Sequence, residues 1–261
     1  MKVTLITGAS GGIGEAFARR LAAEKHNLML VARSEDTLAR LAGELEAKHG
    51  IKAHFIALDL TDENSYETLF AETERLGLKI DWLINNAGFG SGGDFADLDL
   101  DRELGMIKLN ISALIALTHR YLHQMRERKS GTIINLSSAA AFQPIPFMAT
   151  YAASKAFVNS FSEAIAEENR PFNIQVLALC PGSTKTNFHA AAKMDRPIQV
   201  KGQQTVDDVI ETAMKAVGTR KSKVISGWAN YITAIGATVM PNALSSRIIG
   251  KAMRTKYQKE L

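Results

Sequence analysis

The sequence predicts an α/β fold, a doubly wound parallel sheet with helices on both faces, built as a single domain over residues 1–261. Three observations carry this. Short apolar runs alternate with longer stretches of helical spacing, and strand-helix-strand order implies parallel pairing through crossovers. Most runs are nearly continuous in Ile, Leu and Val, as in Leu28-Met29-Leu30-Val31 and Ile174-Gln175-Val176-Leu177, the pattern of strands buried on both faces. Turns rich in Gly or Asn follow several runs, at residues 8–14, 85–88 and 181–182. In an open α/β sheet, ligands bind at that end of the strands.

In order, the strands are predicted at 2–7, 28–32, 52–58, 81–85, 131–137, 173–180 and 222–226, and the helices at 12–24, 34–49, 63–76, 100–128, 151–169 and 205–217. No internal repeat, low-complexity tract or interdomain linker interrupts them. Residues 183–204 are the least regular and read as a small lid over a substrate, because apolar patterning resumes at Val206.

Composition narrows the function classes. With 46% hydrophobic and 22% charged residues, the chain has the make-up of a globular domain with an ample core. Its single cysteine, Cys180, excludes a disulfide framework and a Cys-based metal cluster and fits a reducing compartment. The net charge is +4, but Lys and Arg are interleaved with Asp and Glu over most of the length, unlike the concentrated basic face of a nucleic-acid binder. The group Lys251, Arg254, Lys256 and Lys259 is the most one-sided and reads as a solvated helix end. A mild positive excess also suits a phosphorylated ligand. No apolar run reaches the ~18 residues of a membrane span. The nearest, from Trp228 to Met240, is short and holds Asn230, Thr233 and Thr238. No secretory leader precedes the first strand, so a cytoplasmic location is expected.

The first strand runs into Thr7-Gly8-Ala9-Ser10-Gly11-Gly12-Ile13-Gly14 and then a helix. Glycines let the backbone turn sharply and approach a pyrophosphate, and the new helix offers amide hydrogens and a positive dipole end to the same anion. Gly8, Gly12, Gly14, Ser10 and Ile13 are therefore candidate cofactor contacts, although the spacing is not the common dinucleotide G-x-G-x-x-G. The second strand ends in Val31-Ala32-Arg33-Ser34. A carboxylate there suits a ribose diol; the forked donors of Arg33 suit a phosphate. Arg33 therefore argues for the 2′-phosphate of NADP (NADPH) over NAD. Asp59 and Leu60 follow the third strand, where Asp59 can bond an adenine amino group or cap a turn. Asn86, Ala87 and Gly88 follow the fourth and can shape a turn under the cofactor.

Tyr151 and Lys155 stand four residues apart in a predicted helix, so their side chains rise from one face a turn apart. A cation beside a phenol favours the phenolate and lowers its pKa from about 10, which suits a general acid or base.

Taken together, these pieces resemble the classical short-chain dehydrogenase/reductase family, whose fold is Rossmann-like. The resemblance rests on residues 7–14, Asp59, 85–88, Asn110, Ser138, Tyr151 with Lys155, and Pro181-Gly182 with Thr186, in family order over about residues 1–190. It implies a catalytic tetrad of Asn110, Ser138, Tyr151 and Lys155. Tyr151 would donate the proton as hydride reaches a substrate carbonyl. Lys155 would lower the tyrosine pKa and hold the nicotinamide ribose. Ser138 would orient the carbonyl, and Asn110 would hold a water for proton resupply. Ser137 and Ser138 point to opposite faces of a strand end, and Ser138 has the family spacing to Tyr151. Pro181, Gly182, Thr184 and Thr186 would wrap the nicotinamide. The resemblance also implies a homodimer or homotetramer, through helices 100–128 and 151–169.

Other features carry less. His119 and His123 have a metal-compatible spacing but no third ligand. Phe89, Phe142, Phe147 and Phe188 can line an apolar pocket or simply pack. Phe188, His189 and Met194 in the lid hint at an apolar or mixed carbonyl or alcohol substrate. The reading is thus an NADP-dependent oxidoreductase acting on a small-molecule carbonyl or alcohol. The alternatives are a dinucleotide-binding sensor or docking module without turnover, and an isomerase or dehydratase that retains its nucleotide.

Overall fold

All seven predicted strands form and join one parallel sheet, in the order β3-β2-β1-β4-β5-β6-β7. The structure is a computed structural model, and it describes residues 2–186 and 203–257. The strands are β1 (Val3–Thr7), β2 (Asn27–Ala32), β3 (Ala53–Ala57), β4 (Ile80–Asn85), β5 (Gly131–Leu136), β6 (Ile174–Cys180) and β7 (Lys223–Ile225). Strand order reverses between β1 and β4, so their carboxyl ends flank a crevice, the expected position of a ligand site.

The helices are α1 (Gly12–Ala23), α2 (Glu35–His49), α3 (Asn64–Arg75), α4 (Leu100–Ile107), α5 (Leu114–Arg128), α6 (Ala149–Asn169), α7 (Val206–Ala216), α8 (Trp228–Val239) and α9 (Asn242–Tyr257). Successive strand residues point to opposite faces, and the core divides accordingly. Ile6, Leu28, Leu30 and Ile84 meet Phe17 and Leu21 of α1, Leu38 and Leu41 of α2, and Val209 of α7. Leu5, Met29, Val31 and Leu83 meet Leu69 and Phe70 of α3 and Leu117 and Tyr121 of α5 on the other face. The apolar runs of the central strands therefore had to be continuous, because both of their faces are covered.

Two features differ from the sequence expectation. The helix predicted over 100–128 is interrupted by a π-helical segment, Lys108–Ala113, between α4 and α5. Such wide turns are inserted without changing the apolar periodicity much, and they recur at functional sites. The second difference is the pair α8 and α9, which the patterning did not separate into helices.

Candidate active site

The glycine turn forms a cradle at the end of β1. Gly8 and Gly12 adopt φ of +65° and +56°, values that a side chain makes unfavourable. A Cβ on Gly14 would overlap the Gly8 carbonyl and the Asn86 amide. Gly14 is therefore needed for close packing. Gly11 precedes α1 without a side-chain cap, which leaves the helix's first amides to an anion. Ser10 is half-buried at this turn, and Ile13 packs partly onto the core.

Thr7 and Asn86 hold the cradle against the β4 turn. Thr7 Oγ1 accepts from the Asn86 and Ala87 amides at 3.0 and 2.9 Å, and Asn86 Nδ2 donates to the carbonyls of Thr7 and Gly8 at 2.9 and 3.1 Å. The preceding Asn85 points into the core, where its Nδ2 donates to Asn135 on β5 and to Thr118 on α5. These amides thus build the floor of the cleft. Its residues fit a dinucleotide: bare backbone at the turn, uncapped amides, and a cation at the rim.

That cation is Arg33, whose side chain is 79% exposed and pairs loosely with Asp59 at 4.0 Å. Asp59 also accepts from the Thr61 amide at 3.0 Å and hydroxyl at 2.8 Å, the local turn read as its simpler role. Leu60 is buried in the core, so only its backbone is available to a ligand.

On the other side of the crevice, the two serines after β5 diverge as strand geometry requires. Ser137 Oγ donates to the Lys155 carbonyl at 3.0 Å. Ser138 Oγ accepts from the Ala140 amide at 3.1 Å and is hydrogen-bonded with Tyr151. Lys155 Nζ donates to the Leu136 carbonyl at 2.8 Å and lies 5.9 Å from the centre of the Tyr151 ring. Asn110, inside the π-helical segment, accepts from the Phe89 amide at 3.2 Å and donates to the Phe89 carbonyl at 3.0 Å and Ser154 Oγ at 3.1 Å. Ser154 in turn donates to the Tyr151 carbonyl at 2.8 Å. A Cβ on Gly88 would crowd Asn110 Oδ1 and approach Lys155 Nζ to 3.5 Å. All four side chains singled out from sequence thus meet at the carboxyl end of the sheet.

Burial acts on the ionisable groups of this cluster. Tyr151 is raised above the ordinary phenol value by burial, against a smaller opposing effect of the Ser138 hydrogen bond. The same burial pushes the Lys155 ammonium down to about 8, with the Cys180 thiol acting the other way. Desolvation disfavours both charged forms. Cys180 itself is pushed up to about 12, chiefly by burial, and donates to Asn159 Oδ1 at 3.2 Å.

Pro181 and Gly182 leave β6 beside this cluster, and the Pro181 carbonyl accepts from the Ala139 amide at 2.8 Å. Thr184 Oγ1 donates to the Gly182 carbonyl at 3.0 Å, while the Thr186 side chain faces Gly12 across the cleft. Two interactions escaped the sequence. A Cβ on Gly182 would overlap the Asn230 amide of α8, and Phe147 stacks on Tyr257 of α9 at 5.6 Å. Neither follows a motif spacing. Lid residues Phe188, His189 and Met194 lie outside the described residues. His119 and His123 form only an edge-to-face ring pair, and no metal-binding cluster occurs among the described residues.

This fold and site define a nucleotide-dependent oxidoreductase with a buried tyrosine. The model of the short chain dehydrogenase family matches residues 2–197, and the chain belongs to that family. It is 34% identical to the very-long-chain 3-oxoacyl-CoA reductase of Anas platyrhynchos, over 97% of this chain and 84% of that one. It is 32% identical to the ketoacyl reductase HetN of a Nostoc species, over 86% and 78%. Among solved structures, a short-chain dehydrogenase from Sphingobium yanoikuyae in complex with NADPH superposes with a TM-score of 0.83 at 30% identity, covering 94% of this chain and 96% of that one. A 7beta-hydroxysteroid dehydrogenase superposes with a TM-score of 0.86 at 27% identity, covering 95% and 96%. The protein is thus an NAD(P)-dependent oxidoreductase. No helix among the described residues is long and apolar enough to cross a membrane.

Proposed function

We propose that the protein is an NADPH-dependent reductase of apolar ketones or 3-oxoacyl thioesters, with Tyr151 as the general acid. The observation that carries this is the hydrogen-bonded pair Ser138 and Tyr151 beside a buried Lys155. A nicotinamide cofactor, when bound, would supply the hydride for the carbonyl carbon. Ser138 holds the carbonyl oxygen toward Tyr151. The raised pKa keeps the phenol protonated near neutral pH, ready to give its proton to the developing alkoxide. Lys155, with a pKa near 8, returns a proton to Tyr151, and Asn110 orders the path behind it. Gly8, Ser10, Gly12, Ile13 and Gly14 would hold the pyrophosphate, Arg33 the 2′-phosphate, and Asp59 with the Leu60 backbone the adenine. Asn86, Ala87 and Gly88 form the cofactor floor, and Pro181, Gly182, Thr184 and Thr186 the nicotinamide wall.

The thioester class is supported by the relatives that are 3-oxoacyl-CoA and ketoacyl reductases, and NADP by Arg33 and by the NADPH-bound neighbour. The lid read from the sequence over 183–204 would serve the substrate, a homodimer or homotetramer is the working assembly, and the cytoplasm is its location. The test is NADPH oxidation over ketones, aldehydes and 3-oxoacyl thioesters. Tyr151→Phe is expected to lower turnover by about 10²–10⁴ with NADPH affinity retained. A binding module would be indifferent to that change, and wild-type protein that consumes no NADPH on any substrate would overturn the proposal. Arg33→Ala is expected to weaken NADPH binding about tenfold or more while sparing NADH, since a charge-assisted hydrogen bond is worth about 1.5–3 kcal/mol. Equal losses for the two cofactors would count against the phosphate role.

A further inference from the structure

We infer that the outer face of α8 and α9 docks peripherally on an anionic phospholipid bilayer. This goes beyond the reductase reading and does not depend on it. The composition of α8 is inverted relative to a helix that packs on a core. Its buried positions are the small Ala234 and Ala237, whereas Trp228 is 79%, Ile232 60% and Val239 80% exposed. Together with Tyr231 and Ile235 these follow the i, i+3, i+4, i+7, i+11 spacing of a single stripe. Leu244 and Ile248 continue the exposed apolar surface on α9. No charged residue occurs from Val224 to Ser246. A run of large apolar side chains on one face marks an interaction site.

The surrounding charge selects the occupant. No Asp or Glu lies between Glu211 and Glu260, a stretch with nine Lys and Arg residues. Arg247, Lys251 and Arg254 are exposed along one side of α9, next to Ile248. A two-fold contact between copies sets the same patch against itself. That arrangement would bring these basic stripes together with no acidic residue of the segment to pair them. Apolar side chains with Trp and Tyr at headgroup depth and a basic fringe are instead the features of an interfacial helix on anionic lipid. The face also adjoins the cleft. α8 packs on Ala139–Phe142, directly after Ser138, and Met253 and Ile249 of α9 join the cluster around Tyr151. Docking would place the substrate entrance at the lipid surface.

The test is co-sedimentation with vesicles of phosphatidylcholine alone and of an equal mixture with phosphatidylglycerol. Partition onto the mixed vesicles is expected, weakening as salt screens the charges, with Trp228 emission shifting to the blue. The double changes Trp228→Ser with Val239→Ser, and Arg247→Glu with Lys251→Glu, are each expected to lower partition about tenfold or more. An unchanged far-ultraviolet circular dichroism spectrum and thermal midpoint would show that both variants fold. Absence of partition, or equal partition by both variants and wild type, overturns the inference. So does light scattering in which Trp228→Ser with Val239→Ser splits an assembly, since that assigns the face to a second copy.

Discussion

Tyr151 and Lys155 illustrate how a short spacing carries the identity of a site but not its energetics. Four residues on a helix bring phenol and ammonium to one face, and that was readable directly. Which charged form the site favours depends on how much water the fold removes, and burial raises the one pKa and lowers the other. The lysine leaves a measurable trace in stability. Its folded pKa of about 8 lies below the ordinary 10.5, so between those values the unfolded chain binds more protons and stability rises with pH. Wild-type protein is expected to gain on Lys155→Met by roughly 1 kcal/mol per pH unit between about pH 8 and 10. Urea unfolding across that range measures it, and parallel profiles for the two proteins would contradict the buried charge. Asp59, two residues before Thr61, closes its own turn through the Thr61 amide and hydroxyl.

The elements divide by how their residues are covered. The strands were legible because continuous Ile, Leu and Val runs are needed wherever both faces meet helices. α1 was legible from its glycines, and these behave differently from one another. Gly14→Ala would press on the Gly8 carbonyl and Asn86. We expect a loss of about 1–3 kcal/mol, as for other overpacked sites, together with weaker NADPH binding. Gly11→Ala meets nothing within 4 Å and should change neither thermal midpoint nor affinity. Indistinguishable results for the two variants would mean that the cradle does not depend on this contact. The π-helical turn at Lys108–Ala113 and the helices α8 and α9 were not legible. The first leaves the apolar period nearly intact, and α8 shows its large apolar residues to the outside, where periodicity has no buried face to report.

For the molecule as a whole, the order of strands puts every singled-out side chain of the site at one end of the sheet. Residues as distant in sequence as Gly8 and Asn86, or Asn110 and Ser154, come into contact because β1, β4 and β5 run parallel and adjacent. The remaining question at this level is assembly. Light scattering of the intact protein is expected to give a dimer or tetramer, with α5 and α6 at the contact; a monomer alone at all concentrations would remove that proposal.

Composition, apolar period and the glycine and Tyr-Lys spacings were enough to establish the layered α/β architecture and to single out the glycine turn and the Tyr-Lys pair, because each is a local constraint on neighbouring residues. The burial that raises the Tyr151 pKa, the contact of Asn230 with Gly182, the seat of Tyr257 on Phe147 and the outward apolar face of α8 came from the folded chain. They depend on which distant surfaces exclude water from one another, and no short stretch of sequence contains that information.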